Sequence, residues 1–362
     1  FLAWLGSLIY GLPSRQIFVL GVTGTKGKST VVELINHVLE AAGKKTALIS
    51  SVRVKINKES QPNLTDTTMP GRFFIQKFLR EAVLAGCEAA LIEVTSEGVL
   101  QHRHRFIDFD GAVFLNLHPE HIERHGTFEN YRAAKVKFFA DAARLSRKPK
   151  KLFFINQEDP SSGYFADAAA YNGQIYYFGF RQFLTQRLGG QKRTLGSWLA
   201  NDFNLENAAA AARVGEVLDI DWSTIKTALT DFRGLPGRME AVQEKPFRVV
   251  VDYAHTPDSL EQVYQTLVSQ GSKMICVLGS AGGGRDKWKR PELGRIAAKY
   301  CEQIILTDED PYDENPLEIL SQIESGFSQS QIPALPAGRS NLKSQIFKIL
   351  DRNEAIKKAI SL

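Results

Sequence analysis

The sequence predicts an α/β protein in two parts: a central domain with a mainly parallel sheet around a phosphate-binding loop, then a smaller α/β domain. Three observations lead there. From residue 16 onward, short apolar runs alternate with longer amphipathic ones, the pattern of strands and covering helices. A glycine-rich turn, Gly21-Val-Thr-Gly-Thr-Lys-Gly-Lys-Ser-Thr30, joins the first apolar run to the first amphipathic one. Polar clusters then recur directly after apolar runs, and in parallel sheets ligands gather at the carboxyl ends of strands.

The first apolar run, Ile17-Phe-Val-Leu20, reads as a buried strand over 18–22, and residues 29–42 read as an amphipathic helix. Between them Gly24, Thr25, Lys26, Gly27, Lys28, Ser29 and Thr30 have the composition of a phosphate cradle. Glycines let backbone N–H groups point at an anion, and the helix N-terminus adds its positive end. Lys28 would reach terminal phosphates, and Ser29 would offer a hydroxyl to a bound Mg²⁺. The usual spacing is not met, because Val22 stands where the first glycine belongs and Gly21 lies one residue early. A glycine-rich turn that only caps a helix is the other reading.

Further strands are expected at 46–50, 89–94, 112–117, 152–156 and 175–178, with helices at 71–85 and 127–143. Glu93 interrupts a run that should be buried, so it needs a partner, and a metal is a natural one. Thr95, Ser96, Glu97, Gln101, His102 and Arg103 follow that strand. After the next come His118, His121 and His125, a metal or phosphate site or else surface decoration of a helix start. Lys135 lies on the following helix. Asn201-Asp-Phe-Asn-Leu-Glu-Asn207 opens an alanine-rich helix and reads as its N-cap.

Gly234-Leu-Pro-Gly-Arg-Met-Glu240 is the best domain boundary in the chain. It divides the sequence into an apolar segment at 1–15, a central domain at 16–236 and a Rossmann-like α/β domain at 237–362. In the last, strands at 247–251, 274–278 and 304–307 each lead to a polar cluster, with a helix running to about residue 268. Residues 282–290 hold three glycines and four cations, suited to an anion or simply an exposed basic turn.

With 43% hydrophobic and 23% charged residues, no low-complexity tract and a net charge of +5, the chain reads as a soluble globular protein. Its Lys and Arg are dispersed, which argues for a local anion site and against nucleic-acid binding. Cys87, Cys276 and Cys301 lack metal spacing and read as buried thiols in a reducing compartment. The opening Phe1-Leu-Ala-Trp-Leu-Gly-Ser-Leu-Ile-Tyr10 is too short to span a bilayer. It reads as a packing helix ended by Gly11 and Pro13, or as the tail of a segment in weak contact with a membrane. No signal peptide is visible, which points to the cytoplasm.

Taken in order, these residues resemble the Mur ligase family, ATP-dependent amide-bond ligases that build the peptidoglycan stem peptide. The resemblance rests on Gly24-Thr-Lys-Gly-Lys-Ser29, Thr67-Thr68, Glu93 with Thr95-Ser96, Asn116, His121, Lys135, Asn204, Asn207, Gly237-Arg-Met-Glu240, Asp252-Tyr-Ala-His-Thr-Pro-Asp258 and Arg285-Asp-Lys-Trp-Lys-Arg-Pro291. It is strongest to the tripeptide-synthetase subgroup, which adds the third stem residue. The resemblance implies ATP and Mg²⁺, a muramoyl-peptide carboxylate activated as an acyl phosphate, and attack by an amino acid. It assigns catalysis to Lys28, His121 and Lys135, and Mg²⁺ to Ser29, Glu93, His121 and Lys135. Lys135 matches a lysine that the family carbamylates; an ordinary helix lysine paired with an acid is the plainer reading. Asn204, Asn207, Arg238, Asp252 and His255 match nucleotide contacts. Thr67, Thr68, Thr95, Gln101, Arg103, Arg285, Asp310 and Tyr312 match substrate positions. A monomer is expected.

Three departures from the family pattern stand out. Full-length members carry a uridine-nucleotide-binding domain before the loop, so either that domain was removed or the sequence is a short form with another mode of carrier recognition, in which the apolar opening would touch a lipid carrier or membrane. The amino-acid-selecting Asp-Asn-Pro-Arg appears as Glu309-Asp-Pro-Tyr312. Tyrosine cannot pair bidentately with the distal carboxylate of diaminopimelate, which points to lysine or another acceptor. The family's terminal Gly-Lys-Gly-His-Glu segment is missing after the last helix. The alternatives are a folylpolyglutamate synthase, a glutaminase-partnered amidating subunit (disfavoured by three scattered cysteines) and a non-catalytic nucleotide-binding scaffold.

Overall fold

The computed structural model describes residues 2–65, 67–120, 122–191, 195, 197–199, 201–268, 273–328 and 346–362. Among them the helices and strands follow in chain order. The first half holds α1 (Leu2–Ile9), β1 (Phe18–Thr23), α2 (Lys28–Ala41), β2 (Thr46–Ile49), β3 (Arg53–Ile56), β4 (Glu59–Pro62), α3 (Arg72–Leu84), β5 (Ala89–Glu93), α4 (Ser96–Leu100), β6 (Gly111–Phe114), α5 (Ile122–His125), α6 (Phe128–Leu145), β7 (Leu152–Asn156), α7 (Ser162–Ala169) and β8 (Gln174–Phe178). Then come α8 (Phe180–Leu188), α9 (Asp202–Val217), α10 (Trp222–Asp231), β9 (Glu240–Gln243), β10 (Val249–Val251), α11 (Pro257–Leu267), β11 (Ile275–Leu278), α12 (Lys289–Tyr300), β12 (Gln303–Leu306), α13 (Pro316–Ser328), β13 (Ile346–Lys348) and α14 (Arg352–Ser361). They form two compact units, residues 1–119 with 127–236, and residues 120–126 with 237–362.

The first unit is built on an eight-stranded sheet in the order β4-β3-β2-β5-β1-β6-β7-β8. Pairing is parallel from β2 to β8 and antiparallel at β3 and β4. The six strands expected from the sequence form its parallel part. The β3–β4 hairpin was not expected: Val54 and Ile56 alternate with Arg53 and Lys55 over only four residues of β3, and β4 is wholly exposed and has no apolar period. Parallel strands buried on both faces read as apolar throughout, and β1 shows why. Leu20 and Val22 pack with Val31, Leu34 and Val38 of α2 and the alanines of α9. Val19 faces the other way, onto Phe78 of α3 and Phe138 and Phe139 of α6. β6 ends at Phe114, short of the expected 117, because the chain beyond it turns to hold the phosphate loop.

α1 ends at Ile9, two residues before Gly11 (φ +72°) and ahead of Pro13, the pair expected to stop it. α9 is capped by Asn201, whose Oδ1 accepts the Asn204 N–H at 2.9 Å. α10, with no strong end signals beyond its Asp221 cap, went unread.

The second unit holds a three-stranded parallel sheet, β11-β12-β13, and a separate antiparallel ribbon, β9–β10. The strand expected at 247–251 is therefore a partner in a local ribbon and not part of the parallel sheet. Its valines alternate too little to show which sheet they join, and Val251 remains exposed.

Candidate active site

β1 delivers the loop and α2 receives it. Gly27, the N-cap of α2, has φ +80°, and a Cβ there would lie 2.2 Å from Asn207 Oδ1 on α9. Only glycine leaves both backbone and side chain room. The loop is fastened from the β6 side: Thr25 N–H donates to the Asn116 carbonyl at 2.9 Å, and Lys26 N–H to Asn116 Oδ1 at 2.9 Å. Thr25 Oγ1 accepts the His118 N–H at 3.0 Å and lies 3.1 Å from the Tyr131 hydroxyl. Gly21 has no part in the loop. It sits inside β1, where a Cβ would come within 2.4 Å of the Phe138 ring, so the early glycine serves core packing.

At the carboxyl end of β5, buried Glu93 gathers the neighbouring groups. Its Oε2 accepts from Ser29 Oγ at 2.9 Å and from the Ser51 N–H at 2.9 Å, while Ser51 Oγ lies 2.7 Å from Ser29 Oγ. Lys28 Nζ stands 4.0 Å from Glu93 Oε1 and donates to the Thr25 carbonyl at 2.9 Å. Thr30 is buried in the first turn of α2. One carboxylate with two hydroxyls is an oxygen donor set, which fits Mg²⁺ held partly by phosphate oxygens. No set of three or more His, Cys, Asp and Glu side chains around one point exists among the described residues.

Lys135 projects from α6 into this region. It is 2% exposed, donates to the Gly24 carbonyl at 2.7 Å and lies 4.9 Å from the Tyr131 ring centroid. His121 lies outside the described residues. Asn204 Nδ2 donates to the Trp198 carbonyl at 2.9 Å. Beside it on α9, burial first and then the charges of Glu158, Asp202 and Asp159 push the Glu206 carboxyl up to about 7.

A second group forms around Met69. Thr67 Oγ1 and the Arg103 guanidinium both donate to its carbonyl, and Arg103 also donates to Gln101 Oε1 at 2.6 Å. Thr95 caps α4 by accepting the Gly98 N–H at 3.1 Å. Thr68, half-buried, precedes Met69 in the chain.

In the second unit Asp252 accepts the N–H groups of Met239 and Ala254, each at 2.7 Å; burial pushes its carboxyl up. The Arg238 guanidinium lies 4.3 Å over the Tyr253 ring. His255 bonds the Tyr253 carbonyl through Nδ1 at 2.9 Å, and its Nε2 lies 3.0 Å from Glu120 Oε1. Asp310 and Tyr312 hold left-handed backbone, at φ +37° and +54°. The Asp310 carbonyl accepts the Gly282 N–H at 3.0 Å, and Arg285 reaches the Tyr312 hydroxyl at 3.5 Å. The basic cluster splits. Arg285 and Lys287 are exposed, but Arg290 is fully buried, bonding Glu314, Gln322 and the Ala281 carbonyl. Those bonds, with help from Lys287, hold the Glu314 carboxyl at about 2, and burial pushes the Lys289 ammonium down.

Sequence reasoning passed over Ser51 and Tyr131 as site residues, and named Asn116 only as part of the family pattern, without a role. Ser51 lies just past β2, after Ser50, and the rule of examining polar residues after strands would have found it.

The model of the Mur ligase middle domain matches residues 22–215, and that of the Mur ligase glutamate ligase domain matches residues 237–362. This chain belongs to the Mur ligase family. As a Mur ligase it is an ATP-dependent, amide-bond-forming enzyme. It is 34% identical to the UDP-N-acetylmuramoyl-L-alanyl-D-glutamate--2,6-diaminopimelate ligase of Halalkalibacterium halodurans, over all of this chain (100%) and 74% of that one. It is 35% identical to the UDP-N-acetylmuramyl-tripeptide synthetase of Treponema denticola, over 98% of this chain and 71% of that one. Among solved structures, folylpolyglutamate synthase from Mycobacterium tuberculosis superposes with a TM-score of 0.73 over 99% of this Mur ligase and 87% of that chain. At 14% identity that likeness concerns the fold alone.

Proposed function

We propose that this Mur ligase joins an amino acid to the carboxylate of a muramoyl-peptide by way of an acyl phosphate, with ATP converted to ADP and phosphate. One observation carries the reading: Glu93, Ser29, Lys28 and the Lys135–Gly24 contact converge on one anion-binding loop in a chain of this family. The loop N–H groups and the α2 N-terminus bind the β- and γ-phosphates. Lys28 moves from the Thr25 carbonyl to neutralise the transferring phosphoryl group. Ser29 and Glu93 would hold Mg²⁺, which offsets phosphate charge when bound; His121 is assigned to a second Mg²⁺. Lys135, buried on the loop carbonyl, is the residue assigned to carbamylation, and its carbamate would replace a cation with an anion beside the metal. Asn204, Asn207, Arg238, Asp252 and His255 are assigned to the nucleotide. Thr67, Thr68, Thr95, Gln101 and Arg103 are assigned to the muramoyl-peptide. The enzyme acts as a monomer in the cytoplasm.

The acceptor side is read from Arg285, Asp310 and Tyr312. The Tyr312 ring and hydroxyl occupy Arg285, and Tyr312 offers no bidentate cation to a distal carboxylate. The amino acid taken is therefore lysine or another without that carboxylate. A panel of lysine, ornithine and diaminopimelate with the muramoyl-dipeptide substrate, read by product mass and phosphate release, tests both statements. Preference for diaminopimelate would sink the Tyr312 reading. ATP turnover that no acceptor or peptide stimulates would sink the ligase reading.

A further inference from the structure

α1 has two unlike faces. Ala3, Gly6 and Ser7 are buried. Leu2, Trp4, Leu8 and Ile9 are exposed, Leu2 at 52% and Ile9 at 60%, and the helix carries no charge. Its first turn opens on a cavity of about 480 Å³ lined by Leu2, Ala3, Arg72, His102, Arg105 and Phe106. Phe106 is also exposed, on left-handed backbone at φ +61°, with His102 at φ +58°. For a bulky residue such as Phe106 that conformation is uncommon.

The charged side chains that line the cavity, Arg72 and Arg105, are both cationic. Arg72 donates to the Gln101 carbonyl, while Arg105 lies 3.6 Å from Asp141, an acid it shares with Lys137 and His104. No carboxylate lines the cavity among the described residues. An apolar helix face beside guanidinium groups matches the chemistry of an anionic bilayer surface, where acyl chains take the apolar side chains and lipid phosphates take the arginines. Trp4 suits the boundary between the two. No helix among the described residues is long and apolar enough to cross a membrane, so α1 would lie in the interface.

We infer that α1 and the Arg72–Arg105 cavity dock this protein on bilayers that contain anionic phospholipid. This surface is independent of the ligase reading, because none of its residues is assigned to catalysis.

Flotation of the 362-residue chain with phosphatidylcholine vesicles, with and without phosphatidylglycerol, tests it. Retention on anionic vesicles only, weakening with salt, is expected, together with a blue shift of Trp emission that Trp4→Phe removes. Arg72→Gln and Arg105→Gln should each weaken binding about fivefold. The double variant Leu8→Ser with Ile9→Ser should abolish it while the thermal melt stays unchanged. Equal retention on both vesicle types, no retention, or binding that survives the double variant would overturn the inference. So would self-association that the double variant abolishes, which would assign the face to a second copy of the chain.

Discussion

Two glycines three residues either side of Gly24 do different jobs, and substitution separates them. Gly27→Ala puts a Cβ at φ +80° and 2.2 Å from Asn207 Oδ1, directly at the nucleotide loop. ATP affinity should fall about tenfold or more, the equivalent of roughly 1.4 kcal/mol, in a titration that leaves the peptide substrate out. Gly21→Ala instead pushes on the Phe138 ring, 2.4 Å from the new methyl. It should lower folding stability by about 1–3 kcal/mol in denaturant melts, with the ATP affinity of the folded fraction retained. Were both variants to lose stability alone, the loop assignment would fail. Lys135→Gln tests the third contact on this strand end. Loss of the group on the Gly24 carbonyl should reduce phosphate release by about 10²-fold or more, with the melt little changed.

At the level of elements, α9 carries a pH dependence. Its Glu206 has an ordinary value of 4.5 and is pushed up to about 7 in the folded chain by burial and three neighbouring acids. Between those values the folded state holds more protons than the unfolded one, so stability falls as pH rises from about 4.5 to 7. The full loss is about 3 kcal/mol, and Glu206→Gln should recover it near pH 8 while changing nothing near pH 4. Denaturant melts across that range measure it; a variant no more stable at pH 8 would rule the effect out. α6 shows the opposite sign. Burial raises Asp141, but the hydrogen bonds from His104 and Lys137 outweigh it and bring the carboxyl to about 2. That contribution is present above the ordinary 3.8 and lost as pH falls toward 2. Elements were read unevenly. β7 was legible to the residue because four consecutive apolar positions run up to Asn156, and all five residues are buried. β4 was not, because an exposed edge strand has no buried face to leave a period in the sequence, and the alternation in β3 runs for only four residues.

For the whole molecule, ligand linkage gives a direct check on the site. ATP with Mg²⁺ at a hundred times its dissociation constant should stabilise the chain by about 2.7 kcal/mol. A chelator should shrink that gain, since Glu93 and Ser29 then face the phosphates without a cation between them. An ATP-induced shift in melting temperature that the chelator leaves intact would remove Mg²⁺ from the proposal. The sequence by itself determined the alternation of strands and helices, the glycine-rich loop between β1 and α2, and the family, because apolar period and glycine position are local properties of the chain. Only the tertiary structure decided which distant residues share a place. β1 lies between β5 and β6, so Glu93, Asn116 and Lys135 meet at one loop from separate crossovers. The same is true of Ser51, whose strand reaches β1 only across β5. It also decided that Arg290 is a buried anchor and not one more exposed cation, and that Gly21 packs against Phe138. Burial and close approach depend on which elements pack together across the sheet, and no spacing along the chain encodes that.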